Sequence, residues 1–470
     1  MVFSSPSFLF VFLPVFFLIY WFSPVKLRNS IIFIGSLLFY FTGAGNIAFV
    51  LLLSVPLNQW LGIQIRKLES SKSANILLFV GICANLFPLL FYKYYNFITQ
   101  IINDTLGFLG VSGGLPIHEV VLPAGISFFT FQGLSYLIDI RKRYIDPAPS
   151  MVDFGMYHTS FPQLIAGPIV RYIEIKDSVV NRIVSMEQVE SGIIRFCFGL
   201  TKKIVLADNI GVVADATFGL PSGHLTLCSA WLGALTYSLQ IYLDFSAYSD
   251  MAIGLGAMLG FKFPENFDQP YRSCSVTEFW RRWHMTLSRW FRDYVYIPLG
   301  GNRINPVRTY INLFVVFVLC GLWHGAAYTF VVWGLLHGVY LVVERILNYR
   351  NKAMPSNLFS WILTSVLVMV AWVFFRSQTV ESALSYLSVM FFDASFDLPV
   401  SIKISLTPDK IFFIVVGIIV SVFPIERVKS LFNLCEKPTF YSRVAALSFF
   451  TYSLTVLADN GFNPFIYFRF

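Results

Sequence analysis

The chain is poor in charge and lacks the short motifs that identify many soluble enzymes. Only 13% of its 470 residues are charged, whereas about a quarter of the residues in an average soluble domain are. It contains no GxSxG elbow, phosphate-binding loop, dinucleotide fingerprint or metal-ligand spacing. These absences argue against hydrolase, ATPase and oxidoreductase functions, and we expect no bound metal or cofactor.

The six cysteines also lack the close spacing of redox and metal motifs. No CxxC pair is present, and most of the cysteines lie within apolar segments. Cysteines in such positions usually act as small buried hydrophobic side chains. The sequence therefore predicts neither a disulfide framework nor a metal site.

What the chain does contain is apolar sequence, which makes up 56% of it in repeated runs with short polar joints. This pattern is typical of helices that cross a lipid bilayer many times. Because no long soluble segment or repeat interrupts the runs, we predict a single all-α polytopic membrane domain over residues 1–470. The net charge of +8 is spread over short loops, which fits membrane topology and does not indicate a nucleic-acid partner.

Basic joints at every second loop predict the orientation of the chain. They lie at residues 26–28, 66–72 and 141–143. By the positive-inside rule these joints face the cytoplasm, which places the N-terminus outside. The last apolar run, residues 444–457, then leads the C-terminal tail to the outer side as well.

Proline and glycine interrupt the apolar sequence at residues 121–127 and 161–168. Such breaks occur at membrane depth only where protein or a cavity covers the freed backbone. They indicate either half-length helices around a central chamber or ordinary kinked spans. We also expect a turn or kink at Gly334, which separates the apolar runs 313–333 and 336–343.

The candidate chemistry is concentrated in residues 275–338, which hold three of the six histidines. His324 lies near the end of an apolar run, where an imidazole is costly unless something uses or satisfies it. A neutral imidazole with a pKa near its ordinary value of about 6.5 can take a proton from a hydroxyl group. A histidine hydrogen-bonded within the bundle is the alternative, and His337 is a weaker candidate for the same role.

Charged side chains near this stretch allow two interpretations. Arg281 and Arg282 can bind the phosphates of a nucleotide-like or phosphopantetheine-bearing donor, because guanidinium groups bind phosphate bidentately. Alternatively they reach lipid headgroups or pair with neighbouring carboxylates such as Glu278 and Asp293. Asp250, in apolar sequence, should point inward and be hydrogen-bonded, either in a structural pair or to substrate.

Several stretches together carry a resemblance to a known family: residues 161–168, 242–254, 278–288, 299–303 and 321–326. On these, and along most of its length, the chain resembles the membrane-bound O-acyltransferase superfamily, and within it the bacterial branch that includes the membrane component of alginate O-acetylation. The resemblance implies a bundle of about eleven or more transmembrane helices, with re-entrant or half-length helices, around a central tunnel. The catalytic core would lie at about residues 120–345.

The resemblance also implies roles for particular residues. The invariant histidine of the family corresponds to His324, which would act as a general base or polarise the reactants. The second polar catalytic position corresponds to His284, which would orient His324 or stabilise developing charge. The expected substrate-binding residues are Arg281, Arg282, Trp280, Trp323 and Asp250.

The last six residues, 465–470, have the pattern FxYxxF. This pattern resembles the C-terminal motif of bacterial acyl-relay systems of the superfamily, which implies that Tyr467 carries the acyl group. A phenol with a pKa near 10 needs a base to become a nucleophile, and His324 would supply one. An aromatic anchor at the membrane interface is the alternative.

The expected function is O-acetylation of an exported polysaccharide, alginate-like or another exopolysaccharide, by a protein of the bacterial inner membrane. Acetyl-CoA is the expected cytoplasmic donor, and an extracytoplasmic partner of the SGNH-hydrolase type is expected to complete the transfer. Acetylation of peptidoglycan and D-alanylation of teichoic acid are alternatives. A transporter or scaffold without chemistry is an alternative from another class.

Overall fold

The computed structural model describes residues 2–68, 70–111, 113–118, 120–146, 148–348, 356–423 and 438–466. Within these ranges the chain is largely helical and contains no strand, which confirms the predicted all-α class. In the part of the chain that the structure describes, five helical stretches are long and apolar enough to cross a membrane: Val25–Lys67, Ser71–Phe108, Pro306–His324, Tyr328–Leu347 and Leu358–Arg376. The protein is thus a multi-pass membrane protein, and the number of about eleven spans stays a prediction.

The chain forms two compact units. The first comprises Met1–Val184 and Gly260–Phe263, and the second Ser185–Leu259 and Pro264–Phe470. Because one membrane domain can contain more than one compact unit, the predicted single domain over residues 1–470 stays a prediction.

The first unit is built around α3, α4 and α6, which pack against one another. Asn58 of α3 and Asn85 of α4 exchange two side-chain hydrogen bonds of 2.9 and 2.7 Å, so their buried amides satisfy each other. The helices of this unit are α1 (Leu13–Phe22), α2 (Arg28–Ala44), α3 (Ala48–Lys67), α4 (Ser71–Leu89), α5 (Tyr95–Phe108), α6 (Ile126–Arg141), α7 (Met151–Thr159), α8 (Phe161–Leu164) and α9 (Tyr172–Val180).

Both predicted breaks lie in this unit, and the backbone is irregular in each of them. Helix α6 begins only at Ile126, after Gly125 with a φ of +77°. A Cβ atom at Gly125 would lie 2.4 Å from the carbonyl oxygen of Leu164, so this close approach requires glycine. Residues 161–170 are buried although only the first four of them are helical. The irregular backbone is therefore covered by protein, as it must be within a membrane.

The second unit is organised around α12, a helix of 32 residues against which α10, α11, α17, α18 and α20 pack. Its helices are α10 (Met186–Thr201), α11 (Asp208–Phe218), α12 (Leu227–Met258), α13 (Val276–Arg282), α14 (Met285–Phe291), α15 (Pro306–His324), α16 (Tyr328–Asn348), α17 (Leu358–Arg376), α18 (Val380–Phe392), α19 (Val400–Ser405), α20 (Pro408–Val422) and α21 (Phe440–Asn460).

The prediction of a turn or kink at Gly334 is wrong. The chain turns at residues 325–327, directly after His324, and α16 runs unbroken through Gly334. Gly334 instead faces Gly321 of α15, and a Cβ atom at Gly334 would lie 2.3 Å from the carbonyl oxygen of Phe317. The glycine therefore permits close packing of α15 against α16.

Candidate active site

His324 is the last residue of α15, and its side chain is almost fully buried, with 6% exposed surface. Three aromatic rings surround its imidazole, those of Trp323, Trp333 and Phe375, with centroids 4.8, 5.0 and 5.2 Å away. The negative end of the α15 dipole lies at this residue and would stabilise positive charge that develops on the imidazole during proton abstraction. The position thus suits a general base.

A narrow cavity lies beside His324. It has a free volume of about 10 Å³, close to the least that holds one water molecule. Its other lining residues are Ile241, Phe245, Trp283, Trp372, Phe375 and Ile466. Because this lining is almost entirely apolar, a reactive acyl group bound next to the imidazole would be shielded from bulk water.

His284 lies between α13 and α14, and its side chain is fully buried. Its backbone is left-handed, with a φ of +41° and a ψ of +52°. Such a conformation costs a non-glycine residue about 1–3 kcal/mol and is common at functional sites. The ring of Phe245 packs edge-on against the imidazole at 4.8 Å, and that of Trp323 lies at 5.9 Å.

Asn266 sets the tautomer of His284. Its Oδ1 lies 3.0 Å from His284 Nδ1 and also accepts from the backbone N–H and the hydroxyl of Thr286, at 3.3 and 2.8 Å. Since an atom that accepts from a backbone N–H is an oxygen acceptor, His284 Nδ1 must carry the proton. The lone pair of His284 then lies on Nε2, which has no hydrogen-bond partner among the residues that the structure describes.

The structure brings His324, His284 and Trp323 into one cluster. Both imidazoles contact the indole ring of Trp323, and Phe245 contacts His284 while lining the cavity beside His324. The catalytic roles of the two histidines stay predictions, but their rings share the same aromatic surroundings.

Trp280 and His337 lie behind this cluster. The indole N–H of Trp280 donates to Nδ1 of His337 over 3.2 Å, and both rings contact Trp333, which in turn contacts His324. His337 is thus a fully buried histidine with a hydrogen-bond partner. The ring of Trp333 lies between Trp280 and His324, so Trp280 is in a position to support the residues around His324.

The charged residues expected to bind substrate are engaged in ion pairs or lie at the surface. Arg282 contacts Glu278 at 3.0 Å and Asp268 at 2.8 Å, whereas the side chain of Arg281 is exposed. Asp250 pairs with Arg195 at 2.9 Å and with Lys202 at 2.5 Å. The structural pairing that the sequence left open is therefore present at Arg282 and Asp250, and substrate contact stays a prediction for all three residues.

Tyr467 lies outside the described residues. The description reaches Ile466, whose side chain has 4% exposed surface and lines the cavity beside His324. The residue that precedes Tyr467 is thus at the candidate site.

Sequence reasoning missed two residues that hold the site in place. Asn266 lies in a loop eighteen positions before His284, outside any motif that marked it. Glu344 of α16 is buried and accepts from the backbone N–H groups of Val276 and Thr277, at 2.5 and 2.9 Å. It thereby fixes the start of α13, the helix that leads to His284. For Glu344, the signal that the sequence offered was its position as an acidic residue near the end of an apolar run.

No cluster of three or more His, Cys, Asp or Glu side chains able to hold a metal ion occurs among the described residues. A metal-free reaction stays a prediction. The chemistry that the cluster offers on its own is acid-base catalysis by imidazole in a shielded cavity.

Comparisons with known proteins identify the family of the chain. The sequence pattern of the membrane-bound O-acyltransferase family matches residues 127–384. A probable alginate O-acetylase of Pseudomonas syringae pv. tomato is 41% identical over 418 residues, 89% of this chain and 80% of that protein. One from Azotobacter vinelandii is 37% identical over the whole of both chains. A peptidoglycan O-acetyltransferase of Helicobacter pylori is 37% identical, over 83% of this chain and 80% of its own. The chain therefore belongs to the membrane-bound O-acyltransferase family.

Proposed function

We propose that this O-acyltransferase takes an acetyl group from cytoplasmic acetyl-CoA and passes it across the inner membrane of a bacterium for O-acetylation of an exported polysaccharide. The observation that carries the proposal is the position of His324, buried at the end of α15 and beside a narrow apolar cavity that Ile466 also lines. In the proposed reaction, this one imidazole serves both the donor and a hydroxyl group, which reach it from different sides of the membrane.

In the proposed reaction, His324 takes the proton of the attacking hydroxyl group. The hydroxyl oxygen forms a bond to the carbonyl carbon of the thioester, and the carbon–sulfur bond breaks. The proton then passes from His324 to the leaving sulfur of CoA, so the base is regenerated. His284, with its Nδ1 proton held by Asn266, orients the reactants through Nε2.

The attacking hydroxyl group that we propose is that of Tyr467, in the FxYxxF tail. Ile466, its neighbour in the chain, already lies at the cavity. An extracytoplasmic partner of the SGNH-hydrolase type would take the acetyl group from the tyrosine and transfer it to the polysaccharide. This scheme requires the tail on the outer side of the membrane, the side predicted for the N-terminus as well.

Acetylation of peptidoglycan is the second candidate. The relative named as a peptidoglycan O-acetyltransferase covers nearly as much of this chain as the alginate O-acetylases do. Both candidates use the same donor half-reaction, so the difference lies in the partner and in the acceptor polymer.

The donor half-reaction is tested with purified protein in proteoliposomes and acetyl-CoA, by measuring release of the CoA thiol. Removing a general base slows a reaction by about 10²–10⁴-fold, and we expect His324→Ala to show a loss of that size. His224→Ala is the matched control, because His224 is exposed and lies outside the cluster. Equal rates in both variants would contradict the proposal, and release from a D-alanyl thioester but not from acetyl-CoA would refute the acetyl donor.

The acceptor is tested in cells that carry wild-type protein or His324→Ala. Exported polysaccharide and peptidoglycan are separated, and ester-bound acetate is measured in each. We expect loss of acetate from the exported polysaccharide alone. Loss from peptidoglycan alone would replace the first candidate by the second.

A further inference from the structure

Residues 464–466 follow the end of α21 and approach the candidate site without being part of a long helix. Phe465 and Ile466 are nevertheless buried, with 1% and 4% exposed surface. Fixing the backbone of such a segment is entropically unfavourable by about 1–2 kcal/mol per residue, so specific contacts must hold it.

One of these contacts comes from Lys203, whose side chain is 2% exposed. Its Nζ donates to Asp208 Oδ1 at 2.7 Å, to Asp244 Oδ1 at 2.6 Å and to the carbonyl oxygen of Pro464 at 3.2 Å. An ammonium group has three donors, so one of the three serves the C-terminal segment. Nζ also lies 4.7 Å from the ring centroid of Phe465, in the range of a cation–π contact.

Asp244, the partner of Lys203 in α12, makes the second contact. Its Oδ2 accepts from the backbone N–H of Ile466 at 2.8 Å. Hydrogen bonds to an ionised acceptor are roughly twice as strong as those between neutral groups. Both members of the buried ion pair thus bond to the backbone of residues 464–466. The hydrogen bonds to Pro464 and Ile466 are not needed to pack α12 against the helical turn that contains Lys203, so they indicate that the ion pair also holds the C-terminal segment.

The local helix geometry points Lys203 inward. Residues Lys202–Ala207 form a π-helical turn, a geometry frequent at functional sites. From this turn Lys202 reaches Asp250, whereas Lys203 reaches Asp244, six positions earlier on α12. Burying a charge is unfavourable by several kcal/mol unless it is well paired. Lys203 meets this requirement through its contacts with Asp208 and Asp244, and it also bonds to the carbonyl oxygen of Pro464.

We infer that Lys203 and Asp244 are positioning residues that hold residues 464–466 at the cavity of His324. The inference rests on the proposed acyl transfer through the tail, because this hold fixes the point from which Tyr467 starts. Without the ion pair, the imidazole of His324 would keep its surroundings on α15, α16 and α17, but the C-terminal segment would leave the cavity.

The test is hydrogen–deuterium exchange, measured by mass spectrometry on peptides from residues 461–470 of the purified full chain. The variants are Asp244→Asn and the double variant Lys203→Met/Asp244→Asn. The double variant removes both charges of the pair, and the remaining Asp208 is 21% exposed, so it avoids an isolated charge in the deep interior. Since a hydrogen bond to a charged group contributes about 1.5–3 kcal/mol, exchange at Ile466 should become roughly ten- to hundredfold faster in both variants.

Asp215→Asn is the matched control. Asp215 also forms an ion pair, with Arg376 at 2.8 Å, but its side chain is 40% exposed. Exchange of the C-terminal peptide should stay at the wild-type rate in this control, and peptides of α15 should stay protected in all variants. Wild-type exchange in a folded double variant would overturn the inference, as would equally fast exchange in the control.

The same variants separate the inference from the proposed function. With radiolabelled acetyl-CoA, both thioester cleavage and label retained on the protein should fall in these variants, because the proposed nucleophile Tyr467 would no longer be held at the cavity. Retention of label at the wild-type level despite fast exchange would overturn the inference that the hold serves transfer. If even the wild type shows no cleavage dependent on His324, the proposed function fails, while the exchange rates still decide whether Lys203 and Asp244 hold the segment.

Discussion

At the scale of single residues, the site depends on how His284 is held. Its backbone occupies the left-handed region, and its imidazole is fully buried. The side-chain oxygen of Asn266 binds both the ring and the first turn of α14, through Thr286. One amide therefore fixes the tautomer of the imidazole and the path of the backbone that carries it.

Asn266→Ala tests this arrangement. The substitution leaves the buried N–H of His284 without its acceptor, which is unfavourable by about 1–3 kcal/mol. Because the imidazole would then no longer be held in one tautomer and orientation, we expect turnover to fall roughly tenfold. Asn266→Asp retains an oxygen acceptor at the same position and should restore turnover toward the wild-type value. Turnover is measured as CoA release, and thermal unfolding shows whether each variant is folded. A folded Asn266→Ala variant with wild-type turnover would contradict the assigned role.

At this scale, the sequence located the two histidines but not the residues that support them. His324 and His284 could be identified because an imidazole in apolar sequence is unusual and because both fall in stretches that resemble the family. Asn266 and Glu344 act through hydrogen bonds to backbone and ring atoms far away in the chain. Their partners are determined by the fold, so no local pattern could identify them.

At the scale of elements, the pair α15 and α16 places His324. Gly321 and Gly334 face each other across the two helices, and a Cβ atom added at either would lie 2.3 Å from a backbone carbonyl oxygen of the other helix. The helices thus approach backbone to backbone, a packing mode that small residues permit in membrane proteins. Because His324 is the last residue of α15, its position depends on this contact.

Gly334→Ala should separate the helices. The added methyl group would overlap the carbonyl oxygen of Phe317, and such overpacking destabilises a protein by about 1–3 kcal/mol. Gly338→Ala is the control, since the nearest atom to a Cβ there is 3.6 Å away, an ordinary contact. We expect a lower unfolding temperature and slower CoA release for Gly334→Ala alone. Equal behaviour of the two variants would contradict the role assigned to the close contact.

The error at Gly334 shows what an apolar sequence does not reveal at this scale. A glycine between two apolar runs fits both a turn and a close helix contact, because the absence of a side chain permits each. The turn instead follows His324, at residues 325–327, within a run that is apolar on both sides. The stretches 121–127 and 161–168, which combine proline with glycine, are irregular as predicted, whereas α3 and α4 continue through Pro56 and Pro88, where no glycine adjoins the proline.

At the scale of the whole molecule, length and apolar composition were enough to predict a helical membrane protein, because every spanning backbone must satisfy its own hydrogen bonds. The division into two compact units could not be predicted in this way, since contacts between distant segments leave no mark on composition. The orientation in the membrane rests on the basic loops alone.

Cysteine labelling tests this orientation. Lys142 lies in the basic joint 141–143, and Ile117 lies in the loop before α6, which the alternation of basic joints places outside; both side chains are exposed and are replaced by cysteine. In spheroplasts, a membrane-impermeant maleimide should label Ile117→Cys directly and Lys142→Cys only after the membrane is opened, above the background of the native cysteines. The reverse order would place the N-terminus inside, and with it the tail on the wrong side for the proposed relay.

The central claim is that His324 drives transfer of an acyl group to the C-terminal tail. It is tested most directly by incubating purified wild-type protein, His324→Ala and Tyr467→Phe with acetyl-CoA labelled in the acetyl group, and by measuring label retained on the protein together with thioester cleavage. We predict label on the wild type and on neither variant. Thioester cleavage and retained label that are the same with and without the imidazole of His324 would contradict the claim.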